Sequence, residues 1–263
     1  MAFACHRLTL LSVCIVIWFG VTERSAHADQ PLAPAITVDE VVHQLVERNQ
    51  DRASRLRSYT SQRHYHVEYK GFPHSADANM DVETTYSAPA KSFRVISESG
   101  SHVLVNHVLK KLLKAEQDAA AEQRRNALTP ENYNFALLET TTEDDRTLFV
   151  LQVTPKAASK FLYRGKIWVD ARDYAVVRVE AEPAESPSFW IRNTQIRHLY
   201  TKVGAFWLPK QNTTVTKVRL GGTATLTIDF EKYALPAAAN QSLELTPEMK
   251  RATADLDKLP PTR

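Results

Sequence analysis

The sequence is poor in cysteine and glycine, and each shortage excludes a class of site. Cys5 and Cys14 are the only cysteines among 263 residues. Once the N-terminal segment is removed, as predicted below, the remaining chain has none, which excludes disulfides, thiol catalysis and zinc sites with cysteine ligands. Glycine occurs seven times, without the spacing of a P-loop, a G-x-G-x-x-G turn or a G-x-S-x-G elbow. Phosphate-binding loops and the nucleophile elbow of a hydrolase are therefore excluded as well.

The chain also lacks an excess of charge and a long hydrophobic run. Its 33 basic and 30 acidic residues leave a formal net charge of +3, which is too balanced for a nucleic-acid-binding surface. The longest apolar run covers residues 8–21, whereas a membrane-spanning helix needs about 20 apolar residues.

That apolar run has the features of a signal peptide. His6 and Arg7 precede it, and Ala26, His27 and Ala28 form an A-x-A cleavage pattern after it. We therefore predict a signal peptide at residues 1–28, cleavage after Ala28 and export. The alternative is an uncleaved anchor helix. The sequence further predicts one domain at 29–235 and a proline-rich tail at 236–263 with a short helix.

Two stretches have the spacing of amphipathic helices. The first is predicted at 38–56, with Thr37 as its N-cap and Glu40 completing a capping box. The second is predicted at 100–126. Its apolar face comprises Val105, Val108, Leu109 and Leu112. The second half of this helix has little apolar surface, so a packed core helix and a movable lid both remain open.

Alternation with period two predicts antiparallel strands in most of the remaining chain. The first strand, at 58–70, places Tyr65, Val67 and Tyr69 on an apolar face and His64 and His66 on a polar one. Further strands are predicted at 81–87, 92–98, 135–141 and 146–154, and as a series of hairpins from 165 to 233. Because no strand–helix–strand alternation occurs, a parallel sheet is excluded. The predicted fold is α+β and mainly β, with one antiparallel sheet of about ten strands and two helices.

A few residues have the types needed for catalysis. His64, His66 and Glu68 share one strand face and would supply three metal ligands, or they form an ordinary solvent-facing polar row. Asp170 and Asp173 resemble an acid–base pair but flank a predicted turn, where aspartate is favoured. The sequence therefore predicts neither an enzyme nor a cofactor.

Two stretches carry a resemblance to a known family. One is the predicted first strand, SYTSQRHYHVEY. The other is the hairpin GKIWVDARDYAVVRVE, with Gly165, Trp168, Val169 and Asp170 at the positions of a recurrent G-x-x-W-V-D motif. With the later PSFWI and FWLPK, the chain resembles a bacterial branch of the outer-membrane lipoprotein-sorting family, the LolA/LolB/RseB-like superfamily. The resemblance extends over the mature chain to about residue 233.

The resemblance implies a periplasmic half-barrel, in which helices cover the concave apolar face of a curved sheet and the cavity between them receives acyl chains. On this chain the candidates for lining that cavity are Tyr65, Val67, Tyr69, Val105, Leu109, Leu112, Trp168, Phe189, Trp190, Trp207, Leu226, Ile228 and Phe230. The aromatic residues among them also have an ordinary explanation as core residues of a sheet. Arg63 and Arg94 are the candidates for the arginine that holds the lid in that family.

The function predicted on this basis is a monomeric, non-enzymatic carrier of lipid or lipoprotein acyl chains, with an inner- or outer-membrane protein as its partner and no nucleic acid. One alternative is an RseB-like envelope sensor that binds a protein. Another is a metal-dependent enzyme that uses His64 and His66.

Overall fold

The computed structural model describes residues 36–118, 127–159, 161–185, 191–219 and 221–236. Three parts of the prediction lie outside the described residues. They are the signal peptide with Ala26 and Ala28, the candidate residues Phe189 and Trp190, and residues 237–263 of the tail. In the described ranges, no helix is both long enough and apolar enough to span a membrane.

Ten antiparallel strands form one sheet. The strands are β1 (Ser58–Gly71), β2 (Ala76–Ser87), β3 (Ala90–Gly100), β4 (Tyr133–Glu143), β5 (Arg146–Pro155), β6 (Tyr163–Asp170), β7 (Ala175–Pro183), β8 (Ile191–Val203), β9 (Phe206–Val218) and β10 (Gly222–Ala234). Their order is β3-β2-β1-β10-β9-β8-β7-β6-β5-β4. Consecutive strands are neighbours except β3 and β4, which lie at the two edges of the sheet, and β1 pairs with β10. The sheet is curved and unclosed. The predicted fold class is confirmed.

Two helical segments accompany the sheet in the described part of the chain. Helix α1 (Val38–Arg55) begins where the Thr37 hydroxyl accepts a hydrogen bond from the Glu40 amide at 3.2 Å, as the sequence predicts. The second segment follows β3 and consists of α2 (His102–Leu104), a π-helical turn (Val105–Leu109) and α3 (Lys110–Asp118). We call this second segment the cover. Residues 119–126 of the helix predicted at 100–126 lie outside the described residues.

β2 and β3 are longer than predicted. β2 begins at Ala76 rather than at residue 81, in a stretch of Ala, Asp and Asn that is unfavourable for a strand. Pairing with β1, which places Ala76 opposite Tyr69 and Ala78 opposite Val67, outweighs this local preference. β3 runs from Ala90 to Gly100, which extends the predicted strand at 92–98 by two residues at each end.

The two helical segments pack on the concave face over different strands. α1 buries Val41, Val42 and Leu45 against β4–β7. We call this core the α1 cluster. Its sheet members are Tyr133, Phe149, Leu151, Val153, Ile167, Val169, Val179 and Ala181. The cover buries Val105, Leu109 and Leu113 against β1 and β2. We call that core the cover cluster. Its sheet members are Tyr65, Val67, Ala78, Met80 and Val82.

Candidate functional site

Two rows of side chains cross the concave face, because directly opposite residues of antiparallel strands point to the same side of a sheet. The first row, from β2 to β5, is Met80, Tyr65, Ile228, Asn212, His198, Val179, Ile167 and Leu151. The second, from β2 to β7, is Ala78, Val67, Leu226, Thr214, Ile196 and Ala181. We call these two rows the floor. The floor is apolar at both ends, where the helices pack, and polar in the middle.

The middle of the floor lies between the two clusters. Ile196 on β8 is half-buried, and among the described residues it belongs to neither cluster. On one side of it, Leu226 and Ile228 pack against the cover cluster, and on the other side Val179 and Ala181 belong to the α1 cluster. The floor therefore has a half-buried central strip, on β8 and β9, with an apolar flank on each side.

Two polar groups in this strip are poorly solvated. Burial lowers the pKa of His198 below its ordinary value, so the imidazole is neutral at pH 7. Asn212, directly opposite His198 on β9, has a side-chain carbonyl oxygen that is buried and has no hydrogen-bond partner among the described residues. Beyond the next pair on this face, Ile196 and Thr214, the hydroxyls of Thr194 and Thr216 are 3.3 Å apart and share a hydrogen bond.

Two cavities flank α1. One of about 340 Å³ lies at the C-terminal end of the helix, between Arg52 and the aromatic residues Tyr163, Tyr200, Phe206 and Trp207. The other, of about 700 Å³, is lined by Val42 and Val46 and by residues at the start of β4. Both volumes fall within the roughly 300–1,000 Å³ typical of small-molecule sites.

A buried arginine joins β1 to the cover. Arg63 donates to Glu116 on α3 at 2.8 Å and to the hydroxyl of Tyr65 at 3.2 Å, and its guanidinium lies 4.8 Å from the centre of the Phe230 ring. Lys91 on β3 donates to the second oxygen of Glu116 at 2.9 Å. Arg94, the other candidate for a lid arginine, is exposed and pairs with Glu83 on the neighbouring strand. Of the two, Arg63 is therefore the arginine whose contacts hold the cover.

The structure brings most of the predicted lining residues of the cover side together. Seven of them meet in or against the cover cluster: Tyr65, Val67, Val105, Leu109, Leu112, Leu226 and Ile228. Phe230 lies beside Arg63. Tyr69, further along β1, donates its hydroxyl to the carbonyl of Phe72 at 2.8 Å.

The two described tryptophans of the predicted lining lie elsewhere. Trp207 borders the 340 Å³ cavity, and its indole nitrogen donates to Asp173 at 2.9 Å. Trp168 packs with Leu148 and Val150 in a separate cluster, and the guanidinium of Arg178 lies 3.9 Å from its ring centre. Ile167 and Val169, the neighbours of Trp168 along β6, belong to the α1 cluster. Since side chains alternate along a strand, Trp168 faces the convex side and does not join the floor.

The residues considered for catalysis are engaged in structural contacts. His64 bonds to Asp81 at 2.7 Å, and His66 bonds to Asn79 at 2.8 Å. One carboxylate oxygen of Asp170 accepts the amides of Arg172 and Asp173, which closes the turn after β6. In the part of the chain that the structure describes, no three His, Cys, Asp or Glu side chains are grouped to hold a metal ion.

Sequence reasoning missed the polar strip of the floor and the cavities along α1. The β9 stretch QNTTVTK alternates only weakly in polarity, so the sequence does not show which of its residues face inward. The sequence feature that could have indicated the polar strip is this polar run, which lies inside the predicted series of hairpins.

The chain was compared with known families, curated proteins and solved structures. A family of unknown function (DUF5686) has a model that matches residues 125–232. No curated protein matches the sequence. Among similar solved structures is a domain described as outer-membrane lipoprotein-sorting from Vibrio parahaemolyticus, 13% identical over 79% of this chain and 97% of that one, with a TM-score of 0.33. A LolA-superfamily protein from Nitrosomonas europaea is 12% identical over 79% and 99%, with a TM-score of 0.34. The lipoprotein LppX of Mycobacterium tuberculosis is 12% identical over 76% and 98%, with a TM-score of 0.27.

The resemblance to the lipoprotein-sorting superfamily therefore stays a prediction from the sequence. Identities of 12–13% with TM-scores of 0.27–0.34 do not identify a ligand for this chain.

Proposed function

We propose that this chain binds the acyl chains of a lipid or lipoprotein on the floor of its sheet, as a non-enzymatic carrier in the periplasm. The observation that carries the proposal is the half-filled concave face. Apolar residues form both ends of the floor, at the cover cluster and at the α1 cluster, and the polar strip between them, which includes Ile196, remains half-buried. Burial of acyl methylenes would supply the driving force, about 0.8 kcal/mol per CH₂ before ordering costs.

The contacts of the cover fit a segment that moves to admit such a chain. Its inward face buries Val105, Leu109 and Leu113, but its outward side carries exposed residues such as Val103 and His107. The ionic group of Arg63, Lys91 and Glu116 fixes the far end of the described cover to the sheet. Opening the cover would separate Glu116 from both cations and expose the apolar end of the floor.

A protein-binding envelope sensor is the second candidate function. Edge strand β3 favours it, because Val95 and Ile96 are 40% and 50% exposed there, on a strand that pairs on one side only among the described strands. In that case the partner protein would contact this edge rather than the floor.

Tryptophan fluorescence tests the carrier proposal. Delipidated mature protein is titrated with fatty acids of increasing length, and emission is compared among the wild type, Trp207→Phe and Trp168→Phe. We expect a saturable change in the wild type and in Trp168→Phe that is reduced in Trp207→Phe, because Trp207 borders a cavity on the α1 side and Trp168 lies on the convex face. Two additional methylenes should tighten binding by about fifteenfold at most.

Native mass spectrometry of protein purified from its own periplasm, followed by lipid extraction, provides an independent check. Recovery of a lipid or lipopeptide supports the carrier. If no acyl ligand is recovered and none perturbs the tryptophans, while a protein partner is lost when Ile96 is replaced by Lys, the sensor replaces the carrier.

A further inference from the structure

The polar strip in the middle of the floor has hydrogen-bonding capacity that the described protein leaves unused. His198 and Asn212 face each other across β8 and β9, between Ile228 on one side and Val179 on the other. The Asn212 side-chain carbonyl is buried without a partner in the described ranges. Burying a polar atom in this way is unfavourable unless another molecule supplies the missing bond.

A similar pair on the other face of the same sheet shows the ordinary arrangement. His66 and Asn79 also face each other across neighbouring strands, and there the imidazole and the amide oxygen are hydrogen-bonded at 2.8 Å. The geometry of paired strands thus allows such a bond. On the concave face the buried amide oxygen of Asn212 has no such partner among the described residues, and rotation of this half-buried side chain would present the oxygen to a donor from outside the chain.

We propose that Asn212, His198 and Thr214 form a head-group subsite for an uncharged amphiphile. A hydroxyl or amide of the ligand donates to the side-chain carbonyl of Asn212, and the acyl chains extend from there over the apolar flanks of the floor. This inference rests on the proposed function and specifies the ligand class of the same site.

The floor selects against a charged head group. Every residue in its two rows is uncharged apart from the titratable imidazole of His198. Burial lowers the pKa of that imidazole, so it supplies no positive charge at pH 7. Arg63, the buried cation nearest along β1, is already paired with Glu116. A carboxylate or phosphate in the strip would therefore be partly buried with no counter-ion among the residues of the floor.

Three probes with the same acyl chain and different head groups test this selectivity. They are palmitoylglycerol, palmitamide and palmitate, each titrated into delipidated wild-type protein at pH 8. We expect at least one neutral probe to bind about tenfold more tightly than palmitate. Preference for palmitoylglycerol would indicate a glycerolipid ligand, and preference for palmitamide would indicate an N-acylated one. Both outcomes support the subsite.

Two leucine variants assign the effect to the floor. Asn212→Leu keeps the approximate side-chain shape and removes the amide. This variant should bind the preferred neutral probe about five- to tenfold more weakly than the wild type, with no loss of affinity for palmitate. Asn79→Leu, on the convex face, is the matched control and should leave all three affinities unchanged. The ligand-free Asn212→Leu protein should also melt at a higher temperature than the wild type, since it no longer buries an unpaired carbonyl.

Equal affinities for the three probes, or equal behaviour of the two leucine variants, would overturn the subsite and leave acyl binding intact. If none of the probes binds, the proposed function itself fails. Should Asn212→Leu not fold, the selectivity of the wild type and the neutral-probe affinity of Thr214→Val decide between these outcomes.

Discussion

Arg63 is a buried cation whose partners come from the elements it joins. Its side chain is 3% exposed, and Glu116 on the cover accepts from both Arg63 and Lys91. Burial by itself would raise the pKa of Glu116, but Arg63 and Lys91 together hold that pKa below its ordinary value. At neutral pH the carboxylate is therefore ionised, and removing its charge leaves Arg63 buried without a counter-ion.

We expect Glu116→Gln to lower the free energy of unfolding by about 2–3 kcal/mol at pH 7, less than the roughly 3–5 kcal/mol of a fully buried broken pair, because Glu116 is partly exposed. Urea denaturation measures the change.

Glu98→Gln is the matched control for this change. Glu98 also pairs with the cover, through Lys110, but both side chains are about 40% exposed. The Glu98→Gln substitution should lower the free energy of unfolding by less than about 1 kcal/mol. Equal costs for the two variants would show that the Arg63 contact contributes no more than a surface ion pair.

His198 should make stability depend on pH in a specific direction. Because burial lowers its folded-state pKa below the ordinary value of about 6.5, the unfolded chain takes up this proton first as the pH falls. The wild type should therefore lose stability relative to His198→Gln as the pH falls from 7 to 5. Denaturation curves at intervals of half a pH unit measure this difference.

Above pH 7.5 His198 is neutral in both the folded and unfolded states, so the difference between wild type and variant should be constant there. A difference that stays constant down to pH 5, or changes in the opposite direction, would contradict the burial of His198.

At the scale of elements, α1 and the cover stabilise two separate cores on one face. Leu45 on α1 and Leu109 on the cover are both fully buried, and no described residue belongs to both clusters. A sheet with ten paired strands connects the cores but does not require the helices to move together.

We therefore expect Leu45→Ala and Leu109→Ala to destabilise the protein independently. Each substitution should lower the free energy of unfolding by about 2–5 kcal/mol. The decrease in the double variant should equal the sum of the two single decreases within about 0.5 kcal/mol. Amide hydrogen exchange should accelerate in residues 102–118 for Leu109→Ala and in residues 38–55 for Leu45→Ala.

His107→Asp, at an exposed position of the cover, is the control for local effects on the helix and should change little. A strongly non-additive double variant would show that the two helices open as one unit, which would rule out the cover as an independent lid.

At the scale of the whole molecule, export and the absence of cysteine are one linked prediction. Cleavage after Ala28 removes both Cys5 and Cys14. N-terminal sequencing of periplasmic material should begin at Asp29, and the melting temperature should be the same with and without dithiothreitol. Full-length protein recovered in the inner membrane would contradict the cleavage, and a drop in melting temperature on reduction would contradict a cysteine-free mature chain.

The sequence by itself determined the elements and their type. Thr37 followed by helical spacing predicts α1, and the alternation around Tyr65 predicts β1 and its apolar face, because capping and periodicity act within a few residues of the chain. The absence of strand–helix–strand units was enough to predict an antiparallel sheet. The limits of β2 and β3 were less accurate, since pairing with a neighbouring strand extends a segment beyond its local preference.

Only the tertiary structure decided which residues share a site. β1 lies beside β10 although more than 150 residues separate Tyr65 from Ile228, and no local pattern encodes that pairing. A shift of one residue in any pairing would send the whole strand's side chains to the other face. The register therefore decided that Asn212 and His198 meet on the concave side and that Trp168 does not, and the packing of the cover brought Glu116 to Arg63.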